Sequence, residues 1–182
     1  MQSDQDVWMA CVEACKRAGR TNIIITQREL CKLAGKDDNK KWILRTLNRL
    51  SANTVTLEDE RYTYMGSLIH EACKDKETGH ISLSVNPKML SLFGTGATHI
   101  ETEQRHALSG DLSKWLQGYV LSHKTSSKSP HVVSLDKLQK LCGAQSDFRK
   151  FKFNIRKSIK ELKTLKIIAG WKLENDVLKF WK

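Results

Sequence analysis

Apolar residues recur at helical spacing along the chain, and two of the segments with this pattern repeat each other. "ITQRELCKLAG" (residues 25–35) and "VSLDKLQKLCG" (residues 133–143) match at a constant offset. Thr26 and Ser134 can cap the start of a helix by accepting a free backbone N–H. Gly35 and Gly143 suit the left-handed conformation that ends one. Each segment therefore predicts a helix of about two turns.

Longer amphipathic helices are predicted on both sides of each short helix. Those before it cover residues 6–17 and 111–122. The one after the first copy begins at Asp38 or Asn39, either of which can cap it, and the one after the second copy covers residues 146–166. The apolar positions of the latter are Phe148, Phe151, Ile155, Ile159 and Leu162. A short helix, a glycine turn and a longer helix form a helix-turn-helix.

A predicted hairpin follows each pair of helices. "TVTLEDERYTYM" turns at residues 58–60, and "KIIAGWKLENDVLKFWK" turns at residues 174–176. Two further strands are predicted around a turn at residues 77–79, then a short helix from Pro87 to near Gly94, and an extended connector over residues 97–108. The fold class is therefore α+β, with two tandem winged-helix domains. The first, residues 1–108, is enlarged by extra β-strands, and the second covers residues 109–182.

The charge of the chain is concentrated in its second part. Residues 1–108 carry 15 Lys and Arg against 14 Asp and Glu, whereas residues 109–182 carry 16 against 6. Residues 146–166 alone carry eight cations and two acids. A surface of one sign attracts polyanions, so nucleic acid is the first candidate partner and an anionic membrane surface the second.

In a helix-turn-helix, the second helix enters the major groove of duplex DNA. Arg149, Lys150 and Lys152 are candidates for contact with bases or phosphates, and Asn154 either reads adenine or is solvated. Arg156, Lys157 and Lys160 are expected at phosphates, which position a protein without reading sequence. The first unit offers a weaker set of candidates, namely Lys36, Asn39, Lys40, Lys41, Arg45, Asn48 and Arg49. The acidic turn at residues 58–60 argues that this unit binds DNA by its helix alone or serves protein association.

No catalytic interpretation fits the residues, so we expect a protein that is not an enzyme and binds no cofactor or metal. His70 and Cys73 have no second pair to complete a zinc site. There is no glycine-rich phosphate loop. Tyr62, Tyr64 and Tyr119 lack the histidine cluster that rolling-circle nucleases use. The five cysteines are expected to be buried free thiols, and no apolar stretch is long enough to span a membrane.

The chain resembles plasmid replication initiator (Rep) proteins, most closely the TrfA-type initiators of broad-host-range plasmids. The shared features are the Trp8 helix, "ELCKLAG", "LSLFG" near Phe93, Leu108–Ser109, "KLCG" and "KELKTLKIIAGWKLENDVL". The resemblance implies tandem winged helices that bind directly repeated origin sequences (iterons) and a first unit that can mediate self-association. It also implies a cytoplasmic protein on bacterial plasmid DNA, with no membrane partner. Relatives carry further residues before the first helix, so we expect this sequence to be part of a longer protein.

The function expected from these residues is iteron binding, origin opening and recruitment of host replication proteins, such as a helicase and the host initiator. "MLSLF" (residues 89–93) resembles a peptide that binds the sliding clamp, but a short buried helix is the favoured interpretation. Two alternatives stay open. A double winged-helix transcriptional regulator fits the residues equally well without the resemblance, and a basic adaptor for an anionic partner is a candidate from another class.

Overall fold

A computed structural model describes residues 2–36, 39–58, 60–91 and 98–182 of the chain. The chain divides into two compact units, Met1–Ala97 and Thr98–Lys182. This division assigns residues 98–108 to the second unit, whereas the sequence analysis placed them with the first. Asp38, Asp59, Phe93 and Gly94, which entered the sequence predictions, lie outside the described residues.

The first unit contains three helices, then two hairpins, then a short helix. Helices α1, α2 and α3 cover Gln2–Ala18, Gln27–Leu33 and Lys40–Ala52, and strand β1, Asn22–Thr26, lies between α1 and α2. The hairpin strands are β2 (Thr54–Glu58), β3 (Thr63–Ser67), β4 (Ile69–Lys74) and β5 (His80–Val85), and α4 is Pro87–Ser91. The core is formed by the predicted apolar positions of α1 and α3, including Cys11, Ile43 and Leu47, all nearly inaccessible to solvent.

The second unit repeats this order with one hairpin. It begins with α5 (Thr102–Ala107) and α6 (Asp111–Ser122). Strand β6 (His131–Ser134), α7 (Leu135–Cys142) and α8 (Phe148–Thr164) follow, and then β7 (Gly170–Glu174) and β8 (Val177–Trp181). The prediction of an extended connector over residues 97–108 was wrong, because residues 102–107 form α5 and bury Arg105. The guanidinium of Arg105 donates to the backbone carbonyl of Lys114 at 3.1 Å. This contact ties α5 to α6.

The two helix-turn-helix pairs begin and end as the sequence predicts. Thr26 accepts a hydrogen bond from the backbone N–H of Glu29, and Ser134 accepts one from the backbone N–H of Lys137. Gly143 ends α7 in the left-handed conformation, with φ of 68°. Asn39 caps α3 by accepting from the backbone N–H of Trp42.

The sheets show which hairpin is the wing. In the second unit, β6 pairs with β8, which pairs with β7. In the first unit, β1 pairs with β5, which pairs with β4. The hairpin β4–β5 therefore takes the place of the wing β7–β8, and β2–β3 forms a separate two-stranded ribbon. Our prediction that residues 54–65 form the first wing was wrong in this respect, and β2–β3 is the addition that enlarges the first unit.

The acidic residues 58–60 therefore no longer argue against DNA contact by the first wing, because this segment belongs to the ribbon β2–β3. The wing turn of the first unit is instead residues 75–79. Asp75 accepts hydrogen bonds there from the backbone N–H groups of Glu77 and Thr78, and Gly79 takes a φ of 73°. A hydrogen bond from the Thr78 side chain, followed by those from the backbone N–H groups of Thr78 and Glu77, holds the pKa of the Asp75 carboxyl below its usual range.

Candidate nucleic-acid interface

Helix α8 fixes the candidate interface by burying one side and exposing the other. Phe151, Ile155, Ile159 and Leu162 are at most 1% exposed and form part of the core of the second unit. Phe148 was predicted in this stripe, but it is 38% exposed. It is the first residue of the helix, one residue after the cap, where the chain has only begun to pack.

The exposed side of α8 is cationic. Arg149, Lys150, Arg156, Lys157 and Lys160 are all exposed. Within the described part of the chain, no ion pair involves Arg149, Lys150, Arg156 or Lys160. We call these five residues the α8 basic face. Because like charges one helical turn apart repel each other, this face is stabilised by an anion that binds to it.

Both acids in the α8 segment are used by the fold. Asp147 caps α8 by accepting from the backbone N–H of Lys150 at 2.9 Å. Glu161 accepts from the Ser113 hydroxyl at 2.6 Å and from the backbone N–H of Ser109 at 2.7 Å. Burial opposes ionisation of Glu161, but these hydrogen bonds outweigh it and hold the pKa of the carboxyl below its usual value. Both carboxylates are thus held in place by the fold, and the charge of Lys157 also contributes to the lowered pKa of Glu161.

Two other predicted residues of α8 are half-buried. Lys152 forms an ion pair with Asp176 in the turn of the β7–β8 wing. The backbone carbonyl of Asp176 also accepts from the N–H of Leu135, the first residue of α7. Lys152 thus helps to hold the wing beside α8 and α7, while Asn154 lies on the flank of α8.

The wing adds two lysines that the sequence analysis did not single out. Lys172 on β7 and Lys179 on β8 are both exposed and stand directly opposite each other in the strand register. Like charges in this position destabilise a hairpin unless an anion lies between them. The sequence contained a signal for this pair, because one lysine precedes and one follows the predicted turn at residues 174–176.

A hydrogen bond from a side chain to the backbone fixes the turn that leads into α8. The Gln139 side chain donates to the carbonyl of Ser146 at 2.6 Å. In the first unit, the Gln27 side chain donates to the carbonyl of Lys40 at 2.5 Å, and Gln27 is buried. In each unit, a glutamine on the short helix therefore holds the start of the longer helix.

The first unit also exposes most of its predicted residues. Lys36, Lys40, Lys41, Arg45 and Asn48 are exposed on or before α3. Asn39 is also exposed, but its side chain caps α3. Arg49 is half-buried, and its guanidinium donates to both carboxylate oxygens of Asp4 on α1, at 2.6 and 3.3 Å. This hydrogen bond to Asp4 raises the pKa of Arg49. The same contact joins α3 to α1.

Phe153 was missed by the sequence analysis. Its side chain is 69% exposed and lies on the side of α8 opposite the buried stripe. The sequence carried a signal, because Phe153 is the apolar residue of this helix that is out of phase with the others.

The remaining chemistry is sparse. Among the described residues, no group of three or more His, Cys, Asp and Glu side chains could hold a metal ion. The cysteines are free thiols, but the prediction that all are buried was wrong: Cys73 is exposed on β4 and Cys142 is half-buried. No described helix is both long enough and apolar enough to cross a membrane.

The fold and this surface define a class, the tandem winged-helix proteins, here with a basic face on the longer helix of the second helix-turn-helix. The structure of the Pi initiator protein in complex with iteron DNA is similar, with a TM-score of 0.61 and 20% identity over 89% of this chain and 80% of that chain. The structure of domains 2–3 of RctB has a TM-score of 0.64 and 14% identity over 97% and 79% of the two chains. No protein-family model and no curated protein matches the sequence.

Proposed function

We propose that this protein is a plasmid replication initiator that acts without catalysis by binding directly repeated origin sequences in duplex DNA. The observation that carries the proposal is the α8 basic face, on a second helix of a helix-turn-helix whose nearby acids are used by the fold. The similar fold of the Pi initiator protein, which is in complex with iteron DNA, supports the assignment to initiators. The TrfA-type sequence motifs support the same class.

In the proposed complex, α8 lies in the major groove. Arg149 and Lys150 are in its first turn, the part of a recognition helix that contacts base edges. Lys157 and Lys160 lie further along the helix and bind phosphates. Lys172 and Lys179 on the wing bind the backbone beside the groove. The cations of α3 make a second, weaker contact, with Arg45 and Lys41 as its main residues.

Beyond DNA, we propose that the first unit mediates self-association and that bound protein recruits the host helicase and host initiator at the opened origin. Support for self-association comes from strand β1, which is at the end of its sheet and exposes Ile24 by 71%. A strand with unpaired backbone groups and an apolar outer face can pair with another chain. The protein then acts in the cytoplasm on plasmid DNA.

The proposal is tested by the salt dependence of duplex binding. Affinity for a fluorescent duplex should fall linearly on logarithmic axes with salt, with a slope of about 0.9 per phosphate contact. Lys157→Ala and Lys160→Ala should each weaken binding and reduce the slope by about 1. Lys128→Ala is the matched control, because it removes the same charge from an exposed loop and should leave the slope unchanged. A salt-independent affinity would contradict the phosphate assignment.

Sequence preference is tested by selection from a random duplex library, followed by comparison with the origin of the plasmid that encodes the protein. We expect one enriched site that recurs there as direct repeats. An enriched palindrome would instead indicate a dimeric transcriptional regulator.

A further inference from the structure

Phe153 is surrounded on α8 by cations. The residues one helical turn before it are Arg149 and Lys150, those one turn after it are Arg156 and Lys157, and all four are exposed. The ring itself is 69% exposed. A phenyl ring therefore lies at the centre of the α8 basic face, on the opposite side of the helix from the core.

Exposure of Phe153 alone would not indicate a binding site, because single apolar residues on a protein surface are common. The charged residues around Phe153 distinguish it from such a residue. A surface that binds another protein through a central aromatic residue is depleted in charged residues around that centre. Phe153 has the opposite environment. A partner that covers it must be an anion and must also offer an apolar group between its charges.

Duplex DNA meets both conditions. Its phosphates lie on both sides of the major groove, and the 5-methyl group of thymine projects into the groove between them. A helix that places Arg and Lys at the phosphates thereby brings the residue at the centre of its exposed face to the base edges. Apolar contact with this methyl group is one of the recurrent ways in which a protein recognises thymine.

We propose that Phe153 is a specificity-determining residue whose ring contacts the 5-methyl group of a thymine in the bound site. This proposal rests on the proposed function, since it requires α8 to lie in the major groove of duplex DNA. It adds recognition of thymine through its methyl group, which the charged ends of Arg and Lys do not provide, because they act only as hydrogen-bond donors.

The test removes the methyl group from the DNA and the ring from the protein. The probe is the duplex enriched from the random library by the wild-type protein, with each thymine replaced in turn by deoxyuridine, which pairs normally and lacks only the methyl group. We expect one deoxyuridine position to weaken wild-type binding about four-fold, which is the change in affinity that one buried methyl group produces. Phe153→Ala should bind the unmodified site about four-fold or more weakly and should show no response to deoxyuridine at that position. Phe153→Leu, which keeps an apolar side chain, should retain part of the response.

The matched control is Met65→Ala, which shortens an apolar side chain of similar exposure, 68%, on β3 of the first unit. It should keep the full wild-type response to deoxyuridine. Since both residues are exposed, thermal unfolding of both variants should remain close to that of the wild type.

The outcomes separate the two proposals. An enriched site with no deoxyuridine effect, or an equal effect in wild type and Phe153→Ala, overturns the role of Phe153 and leaves the proposed function intact. A loss in Phe153→Ala that is larger for single-stranded oligonucleotides than for the duplex assigns the ring to base stacking and also overturns it. Failure to enrich any duplex overturns both.

Discussion

At the scale of single residues, the positive surface of the second unit results from the use of three carboxylates. Asp147 caps α8, Glu161 binds Ser109 and Ser113, and Asp176 pairs with Lys152 at the wing. Hydrogen bonds and an ion pair hold these acids at fixed positions, so they stay charged but, in the ranges that the structure describes, form no ion pair with Arg149, Lys150, Arg156 or Lys160.

Glu161 gives the first prediction, which concerns pH. Its pKa is lower in the folded protein than its ordinary value of 4.5, so its contribution to stability is present above that pH and is lost as the pH falls through the folded-state pKa. Glu161→Gln should therefore lower the free energy of unfolding at neutral pH. The difference from wild type should shrink as urea unfolding is repeated at pH values below about 4.5. A difference that stays constant with pH would mean that the loss comes from packing and not from charge.

Arg49 and Arg45 give the second prediction, because the two residues lie one turn apart on α3 in different environments. Arg49→Ala removes the bidentate contact with Asp4 and should lower the free energy of unfolding by about 1 kcal/mol, the upper end for an accessible ion pair. Its duplex affinity should stay close to wild type. Arg45→Ala removes an exposed cation and should weaken duplex binding without a change in stability. Denaturation and anisotropy titrations of both variants measure this contrast, and the opposite pattern would place Arg49 at the DNA.

Some of these residue roles could be predicted from the sequence and others could not, for a physical reason. Thr26, Ser134 and Asn39 cap helices through bonds to residues three positions away, so a short window contains both partners. Arg49 reaches a carboxylate 45 residues earlier, and Lys152 reaches one in the wing. Such pairs depend on the packing of whole elements, so α3 and α8 each include a cation that the sequence could not distinguish from its neighbours.

At the scale of elements, the longer helices and the hairpins could be predicted, but two strands could not. The bounds of α6 are those that the apolar pattern predicts. Strands β1 and β6 were missed because each pairs with a strand that comes much later in the chain, β5 and β8 respectively, and has no hairpin partner beside it. The same distant pairing decides that β4–β5, and not β2–β3, is the first wing. Pairing across the sequence is therefore the information that a local pattern lacks.

Two glycines give the third prediction, which separates a strained position from a relaxed one. Gly143 ends α7 with φ of 68°, a conformation that costs a residue with a Cβ about 1–2 kcal/mol, so Gly143→Ala should destabilise the protein by about that amount. Gly118 lies inside α6, where a new Cβ would meet only the Ile100 methyl group at 4.0 Å. Gly118→Ala should therefore stabilise α6 by about 0.5–1 kcal/mol. Urea unfolding measures both, and equal signs would contradict the assigned backbone roles.

At the scale of the whole molecule, the two units share an order of elements but differ in charge. Lys172 and Lys179 on the second wing stand in register with Val132 on β6. The corresponding positions of the first sheet are Ile24, Ser82 and Cys73, which carry no cation. The difference is smaller between the longer helices, because α3 carries four cations and no acid, against seven cations and one acid in α8. The two units therefore differ in charge most clearly at their wings.

This difference gives the last prediction, which concerns the footprint on DNA. A chain with two recognition helices can place both in the major groove on one face of the duplex when their sites lie about one helical turn apart, roughly 10–10.5 base pairs. A monomer should then protect about two turns of a non-palindromic site, because its two units differ in sequence and in surface charge. Protection should be stronger on the half bound by the second unit, which carries most of the net positive charge. Hydroxyl-radical footprinting of a monomeric preparation measures this asymmetry.

Two variants assign the halves of the footprint. Lys157→Ala should weaken protection over the strong half. It should also lower the occupancy of the whole site, because both units belong to one chain. Arg45→Ala should reduce only the weak half, because the second unit still holds the protein in place. Protection of a single half by the wild type, unchanged in Arg45→Ala, would mean that α3 does not contact DNA. The first unit would then serve association alone, and each direct repeat would be bound by the second unit of one protein molecule.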